Sequence, residues 1–201
     1  MGRKSTQKKR YTDQAIKKKY VVKLLVYFQN NGVHNFSMSK LASDFQISKT
    51  TLYNHFDSKS EMIELALDYK LEVIGEYESV LQNITLSYTE RYRKAMLFFC
   101  VQSYDVSSVL LNEIRQYYPD LWLKVVDFQK GVFKNLQSYY QIGIDIEIFT
   151  KKANPFLLSF SDQQFFEFLS KRKSNEKKQL DVIDVFNHHY AMRFDGVLLR
   201  D

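Results

Sequence analysis

The chain has 201 residues, with one cysteine, six glycines and two prolines, and 29 basic against 23 acidic residues leave a formal charge of +6. That length allows one domain or two small ones around a sizeable core; the lone Cys100 excludes an internal disulfide, and no apolar run nears the ~20 residues of a membrane span, so a cytoplasmic protein is expected. The glycines, at 2, 32, 75, 131, 143 and 196, lie too far apart for a phosphate-cradling loop or a dinucleotide fingerprint.

The charge is uneven. Residues 1–60 hold 12 Lys/Arg and 3 Asp/Glu, and the remainder holds 17 and 20. A basic first third on a mildly acidic body suggests an end that faces nucleic acid. Residues 1–10 read either as a flexible basic arm that reaches DNA or as a solvated tail. The stretch that follows is interrupted by Lys23 and does not read as the core of a signal peptide.

Helical periodicity then dominates. Ile16, Tyr20, Leu24 and Phe28 form one stripe on a helix from Thr12 to about Asn31, closed by Gly32. Within Phe36 to Lys59, Ser37 can cap a short helix whose inner face is Met38, Leu41, Ala42 and Phe45. After a tight turn at Gln46-Ile47, Ser48 can cap a second short helix from Lys49 to about Asn54, with Leu52 inward. Two such helices on the first make a helix-turn-helix, whose second helix enters the major groove. Lys49 can reach a phosphate or a guanine edge, and Thr50 and Thr51 offer hydroxyls and methyls. Tyr53 and His55 can reach phosphate oxygens, although either also suits packing, and Phe56 reads as core. Ser58-Lys-Ser-Glu61 fits a capping box and starts a long helix, with a stripe of Met62, Ala66, Tyr69, Val73, Tyr77, Val80 and Ile84. Lys59 adds charge in its first turn.

Further helices are expected over Tyr88 to about Ser103, Ser107 to Tyr117, and Pro119 to a close at Gly143. Ile142 to Ile148 reads as a strand or an irregular loop. Asn154-Pro155 is a cap followed by a first-turn proline, and starts a helix to about Ser170. Lys171 to Lys178 reads as a basic linker, and a last helix carries Leu180, Ile183, Phe186, Tyr190, Phe194 and Val197. Catalytic and metal signatures are weak. His188 and His189 splay about 100° apart on a helix, Cys100 lacks an evident base, and no HExxH occurs. Neither enzyme chemistry nor a cofactor is expected.

The segment with Ser37, Leu41-Ala42, Ile47-Ser48, Thr51-Leu52-Tyr53, Asn54-His55-Phe56 and Lys59 resembles the DNA-binding domain of the TetR family of bacterial transcriptional regulators. The resemblance implies an all-α chain of about nine helices. A three-helix helix-turn-helix domain (1–57) would be followed by a helical effector-binding and dimerisation domain (58–201). It implies DNA contacts from Ser37, Ser39, Lys49, Thr50, Thr51, Tyr53, His55 and Lys59. The family's usual turn glycine is replaced by Phe45-Gln46, and its small residue at Thr50 is absent. The resemblance also implies an effector pocket among Tyr92, Met96, Phe99, Cys100, Tyr104, Trp122, Phe128 and Tyr139, residues that equally suit plain core. Arg91, Arg93 and Arg115 could take an acidic group. A dimer interface would use Phe156, Phe160, Ile183, Phe186, Tyr190 and Phe194. The function implied is a repressor that binds a palindromic operator as a homodimer and is released by a small molecule. The alternative is an activator, or a helical adaptor with no effector.

Overall fold

The computed structural model describes residues 14–172 and 181–196; the basic arm, most of the predicted linker, Leu180 and Val197 lie outside them. Ten helices and no strands occur among the described residues. They are α1 (Gln14–Asn31), α2 (Met38–Asp44), α3 (Lys49–His55), α4 (Lys59–Gly75), α5 (Tyr77–Leu81), α6 (Tyr88–Tyr104), α7 (Ser108–Tyr117), α8 (Pro119–Asp145), α9 (Pro155–Arg172) and α10 (Val182–Phe194). No single helix among them is long and apolar enough to cross a membrane. The chain forms two compact units that meet inside α4, between Tyr69 and Lys70.

The tenth helix arises because the predicted long fourth helix is split. At Gly75, a poor interior helix residue, the ladder gives way, and the Glu76 amide donates to Val73 O at 3.4 Å. The Asn83 carboxamide then accepts from the Thr85 amide and hydroxyl, at 2.9 and 2.7 Å, which ends α5 in an Asx turn. Ile84, expected on the buried stripe, is 84% exposed as a result.

In the first unit Leu24 and Phe28 of α1 are buried, as are Phe36, Leu41, Leu52 and Phe56, and the Phe28 and Phe36 ring centres lie 5.0 Å apart, whereas Ile16 of the predicted stripe is exposed. Gly32 takes a left-handed φ of 73° and its amide closes onto Phe28 O at 2.9 Å. Glu61 accepts from the Asp57 amide and from Lys17 Nζ at 2.7 Å, tying α1 to the start of α4.

In the second unit α8 packs on α9 and on α7, while α6 packs on α5, α9 and α10. The predicted helix stop at Gly143 is overturned: α8 runs two residues further. The glycine instead allows close approach, since a Cβ there would collide with the Phe149 ring and lie 2.9 Å from Tyr88 Cε1. The amides of Ile148 and Phe149 both donate to Gly143 O, at 2.8 and 2.9 Å, so Ile142 to Ile148 is a helix end and turn rather than a strand.

Gly143→Ala is therefore expected to lower unfolding free energy by about 1–3 kcal/mol through overpacking. Urea denaturation checks it; an unchanged midpoint would show that Phe149 moves aside freely.

Candidate nucleic-acid interface and a buried polar cluster

The helix-turn-helix is built from local hydrogen bonds and one apolar wedge. Ser37 Oγ accepts from the Lys40 amide at 3.1 Å and starts α2. Ser48 Oγ accepts from the Thr51 amide at 3.0 Å and starts α3. Gln46 between them has a φ of 56°, so a non-glycine residue takes the left-handed turn where the family commonly has glycine. A seven-residue helix does not persist alone in water. Fully buried Leu52 and nearly enclosed Phe56 hold α3 in place.

At 100° per residue, Lys49, Thr50, Tyr53 and Asn54 span an arc of about 140° on α3. All four are exposed, and Tyr53 keeps 47% of its surface. Ser37 and Ser39 are exposed on α2. The remaining predicted contacts are already engaged. Thr51 is half-buried, with Oγ1 2.9 Å from Ser48 Oγ. His55 turns toward α1, its ring 5.0 Å from that of Tyr20, and its Nδ1 is buried without a hydrogen-bond partner. Lys59 Nζ donates to Phe36 O at 2.7 Å and lies 4.8 Å from the Phe36 ring centre. Asn54, not among the predicted contacts, is exposed beside them. Its signal was its register with Lys49, Thr50 and Tyr53, and an asparagine can pair with an adenine edge.

The predicted effector residues fall into two groups. Tyr92, Met96, Phe99, Cys100 and Tyr139 are buried in one cluster against which Phe128 packs. Tyr104 and Trp122 are half-buried outside it, and Trp122 carries the Arg115 guanidinium over its ring at 5.7 Å. Arg91 Nε donates to Leu86 O at 3.1 Å, and Arg93 Nη2 to Asn187 Oδ1 at 3.4 Å. Burial pushes the Cys100 thiol well up, so it is not a poised nucleophile.

The centre of this cluster is a carboxylate that sequence reasoning missed. Asp162 on α9 has no exposed surface. It accepts from Tyr92 Oη on α6 at 2.7 Å, Tyr140 Oη on α8 at 2.7 Å and Arg193 Nη2 on α10 at 2.8 Å. His189 Nε2 stands 3.5 Å away, its ring stacked on Phe165 with centres 3.8 Å apart. The signal lay in register: Leu158, Asp162, Phe165, Phe166 and Leu169 share one face of α9, so Asp162 occupies an apolar position.

Of the predicted interface residues, Phe156, Phe160 and Ile183 are exposed, at 52%, 45% and 49%. Phe186 is fully enclosed in its own chain, and Tyr190 and Phe194 pack against the same core.

Two outcomes are expected for the body. Arg193→Ala leaves a buried carboxylate without its counter-charge and should cost about 3–5 kcal/mol, whereas Asp162→Leu with Arg193→Met should recover most of it. Denaturant midpoints of the three proteins test this. Burial raises the Tyr77, Tyr88, Tyr92, Tyr139 and Tyr140 hydroxyls, that of Tyr88 to about 12. The unfolded chain ionises these groups near 10, so their stabilisation is complete below pH 10 and falls as pH rises toward 12. Tyrosinate absorbance should show buried tyrosines ionising only together with the loss of helical circular dichroism.

Residues 25–66 match the family model described as bacterial regulatory proteins, tetR family. The uncharacterised HTH-type transcriptional regulator YvaF of Bacillus subtilis is 31% identical over 98 residues, 48% of this chain; the match spans about half, 51%, of that relative. The HTH-type transcriptional regulator SAB2452 of Staphylococcus aureus is 25% identical over 153 residues, covering 70% of this chain and 75% of the relative. The fold is similar to that of FadR from Bacillus subtilis, solved with stearoyl-CoA, at TM-score 0.68 and 17% identity over 90% of this chain and 100% of that one. Residues 25–66 thus match the tetR family model over the capped helix-turn-helix, and the all-helical fold as a whole is similar to that of solved TetR-family transcriptional regulators.

Proposed function

We propose that the protein is a cytoplasmic, homodimeric repressor that binds a palindromic operator and leaves it when a small molecule occupies the body. The observation that carries this reading is the exposed arc of Lys49, Thr50, Tyr53 and Asn54 on a helix fixed by Leu52 and Ser48. Such an arc fits the major groove, the wider and more informative one. One short helix covers few base pairs, so two copies about 34 Å apart supply the specificity. Exposed Phe156, Leu157, Phe160 and Ile183 support a second copy as partner.

The stearoyl-CoA of Bacillus subtilis FadR supports an effector in the body of this chain. The aromatic cluster around Tyr92 and Tyr139 is where it would act. Lys70, 6% exposed on α4, donates to Gln102 at 3.4 Å and Asp105 at 3.2 Å on and just after α6. A shift of α6 thus reaches the body end of α4, whose other end follows the recognition helix in the chain. The coupling required is about 1–3 kcal/mol.

Fluorescence anisotropy on the DNA upstream of the protein's own gene, against a scrambled duplex at two salt concentrations, tests the reading. Tight, sequence-dependent binding that falls roughly tenfold in Tyr53→Ala and Lys49→Ala is expected, about 1.4 kcal/mol for each. Equal, steeply salt-dependent binding to both duplexes would sink it.

A further inference from the structure

The polar cluster in the body is crowded on one oxygen. Tyr92 Oη and Arg193 Nη2 both reach Asp162 Oδ1, at 2.7 and 2.8 Å, while Tyr140 Oη takes Oδ2 at 2.7 Å. His189 Nε2 faces the same Oδ1 at 3.5 Å, yet it is buried and makes no hydrogen bond. A carboxylate oxygen accepts about two hydrogen bonds, so Tyr92 and Arg193 fill Oδ1 and leave His189 outside. A ring nitrogen that faces a carboxylate carries its proton there, so Nε2 is a donor held in reserve. Buried donors without acceptors are rare, because leaving one unmet forfeits its hydration.

The donors around Oδ1 come from two different helices. Tyr92 ties α6 to Asp162 on α9, whereas Arg193 and His189 both sit on α10. Tyr92 otherwise packs by its ring, with centres 4.9 Å from Phe194 and 5.8 Å from Tyr139. Ring packing is weakly directional and survives a small slide, but a hydroxyl–carboxylate bond weakens steeply with distance and angle. A shift of α6 along α9 therefore breaks the Tyr92–Asp162 bond first. With no replacement, a fully buried carboxylate oxygen would lose one of its two partners, and that cost would resist the shift. His189 Nε2 needs to close only about 0.6 Å to reach the usual N–H···O distance of about 2.9 Å. Its ring lies flat on Phe165, with centres 3.8 Å apart, and a slide in that plane keeps the stack.

We propose that Tyr92 and His189 exchange on Asp162 Oδ1, and that His189 is the positioning residue that holds α9 when an effector moves α6. In one arrangement the carboxylate joins α6 and α10; in the other it closes on α10, with Tyr140 on Oδ2 in both. One hydrogen bond replaces another, so the two arrangements lie close enough in free energy for a ligand to select between them. The assignment rests on the effector-responsive reading above and specifies where in the body its two states part.

The test is a double-mutant cycle of Tyr92→Phe and His189→Phe in the full-length protein, read by urea denaturation. Each variant keeps an aromatic ring and removes the donor. His189→Phe alone should not lower the midpoint, because Nε2 bonds nothing in the starting arrangement. Tyr92→Phe should raise the unfolding constant roughly tenfold more when His189 is also replaced, the worth of one hydrogen bond to a charged group. In Tyr92→Phe the His189 Nε2 proton should move downfield in proton–nitrogen NMR spectra and exchange more slowly with water, a change that a merely packed histidine would not show. Anisotropy on the upstream duplex should find Tyr92→Phe binding more weakly than wild type, and adding His189→Phe should restore it, because the second arrangement then loses its bond. Additive costs would overturn the exchange and hand the role to Arg193 Nε, the other buried donor without a partner on α10. A Tyr92→Phe variant that fails to fold with His189 in place would overturn it too, whereas a double variant that fails where both single ones fold counts as coupling. Coupling with duplex binding unchanged in Tyr92→Phe would overturn the link to DNA release. Equal binding of both duplexes by the wild type would remove the regulator, and the cycle would still decide the exchange.

Discussion

The body depends on a single buried carboxylate. Asp162 on α9 receives hydrogen bonds from α6, α8 and α10, through Tyr92, Tyr140 and Arg193. An ionised carboxylate out of water is costly unless its lone pairs are met, and charge-assisted bonds of 2.7–2.8 Å meet them. Apolar contact alone lets helices slide and rotate by fractions of a turn. Three directional bonds converging on one group fix the register of four helices at once. A well-packed apolar substitute for such a buried ion pair is often as stable.

Around this point the core is unusually aromatic. Tyr88 and Tyr139 stack at 4.5 Å and each donates its hydroxyl to the other's backbone carbonyl. Phe149 packs across Tyr88, Tyr139 and Tyr140, and it can do so because Gly143 has no side chain. Tyrosine allows ring contact and hydrogen-bond satisfaction in one residue, which suits a core that also holds a charge. The consequence is a set of hydroxyls held neutral by burial.

The amino-terminal unit follows a different logic. It is small, and its two short helices are set by caps rather than by length. Ser37 and Ser48 start them, Gln46 turns the chain with a positive φ, and Leu52 closes the wedge. The left-handed glutamine costs some strain that a glycine would relieve, while a glycine would add freedom to the unfolded chain. The wedge leaves only one side of α3 free. Thr51 and His55 lie on the other side, bonded to Ser48 and packed on Tyr20, so the exposed polar set on α3 is narrower than a count of polar residues suggests.

The helix-turn-helix was legible in the sequence because its determinants are local: cap residues at fixed spacing, an apolar stripe on α1, and a Ser58–Glu61 start for α4. Most helix boundaries in the body were legible for the same reason, Asn154 with its Pro155 above all. The break at Gly75 and the continuation of α8 past Gly143 were not. A helix stops or runs on according to what packs beside it, and Phe149 is a partner that periodicity cannot see. The same holds for the candidate sites. Lys49, Thr50 and Tyr53 could be read from register within one helix. Whether Lys59 faces solvent or caps Phe36 depends on a loop 23 residues away. Asp162, Tyr140, His189 and Arg193 come together from three helices spread over more than 50 residues of chain. Sequence alone determined which segments are helical and which faces are apolar, because those follow from local propensity and spacing. Only the tertiary structure decided which polar side chains lie inside, because burial of a charge is set by partners that the chain brings from a distance.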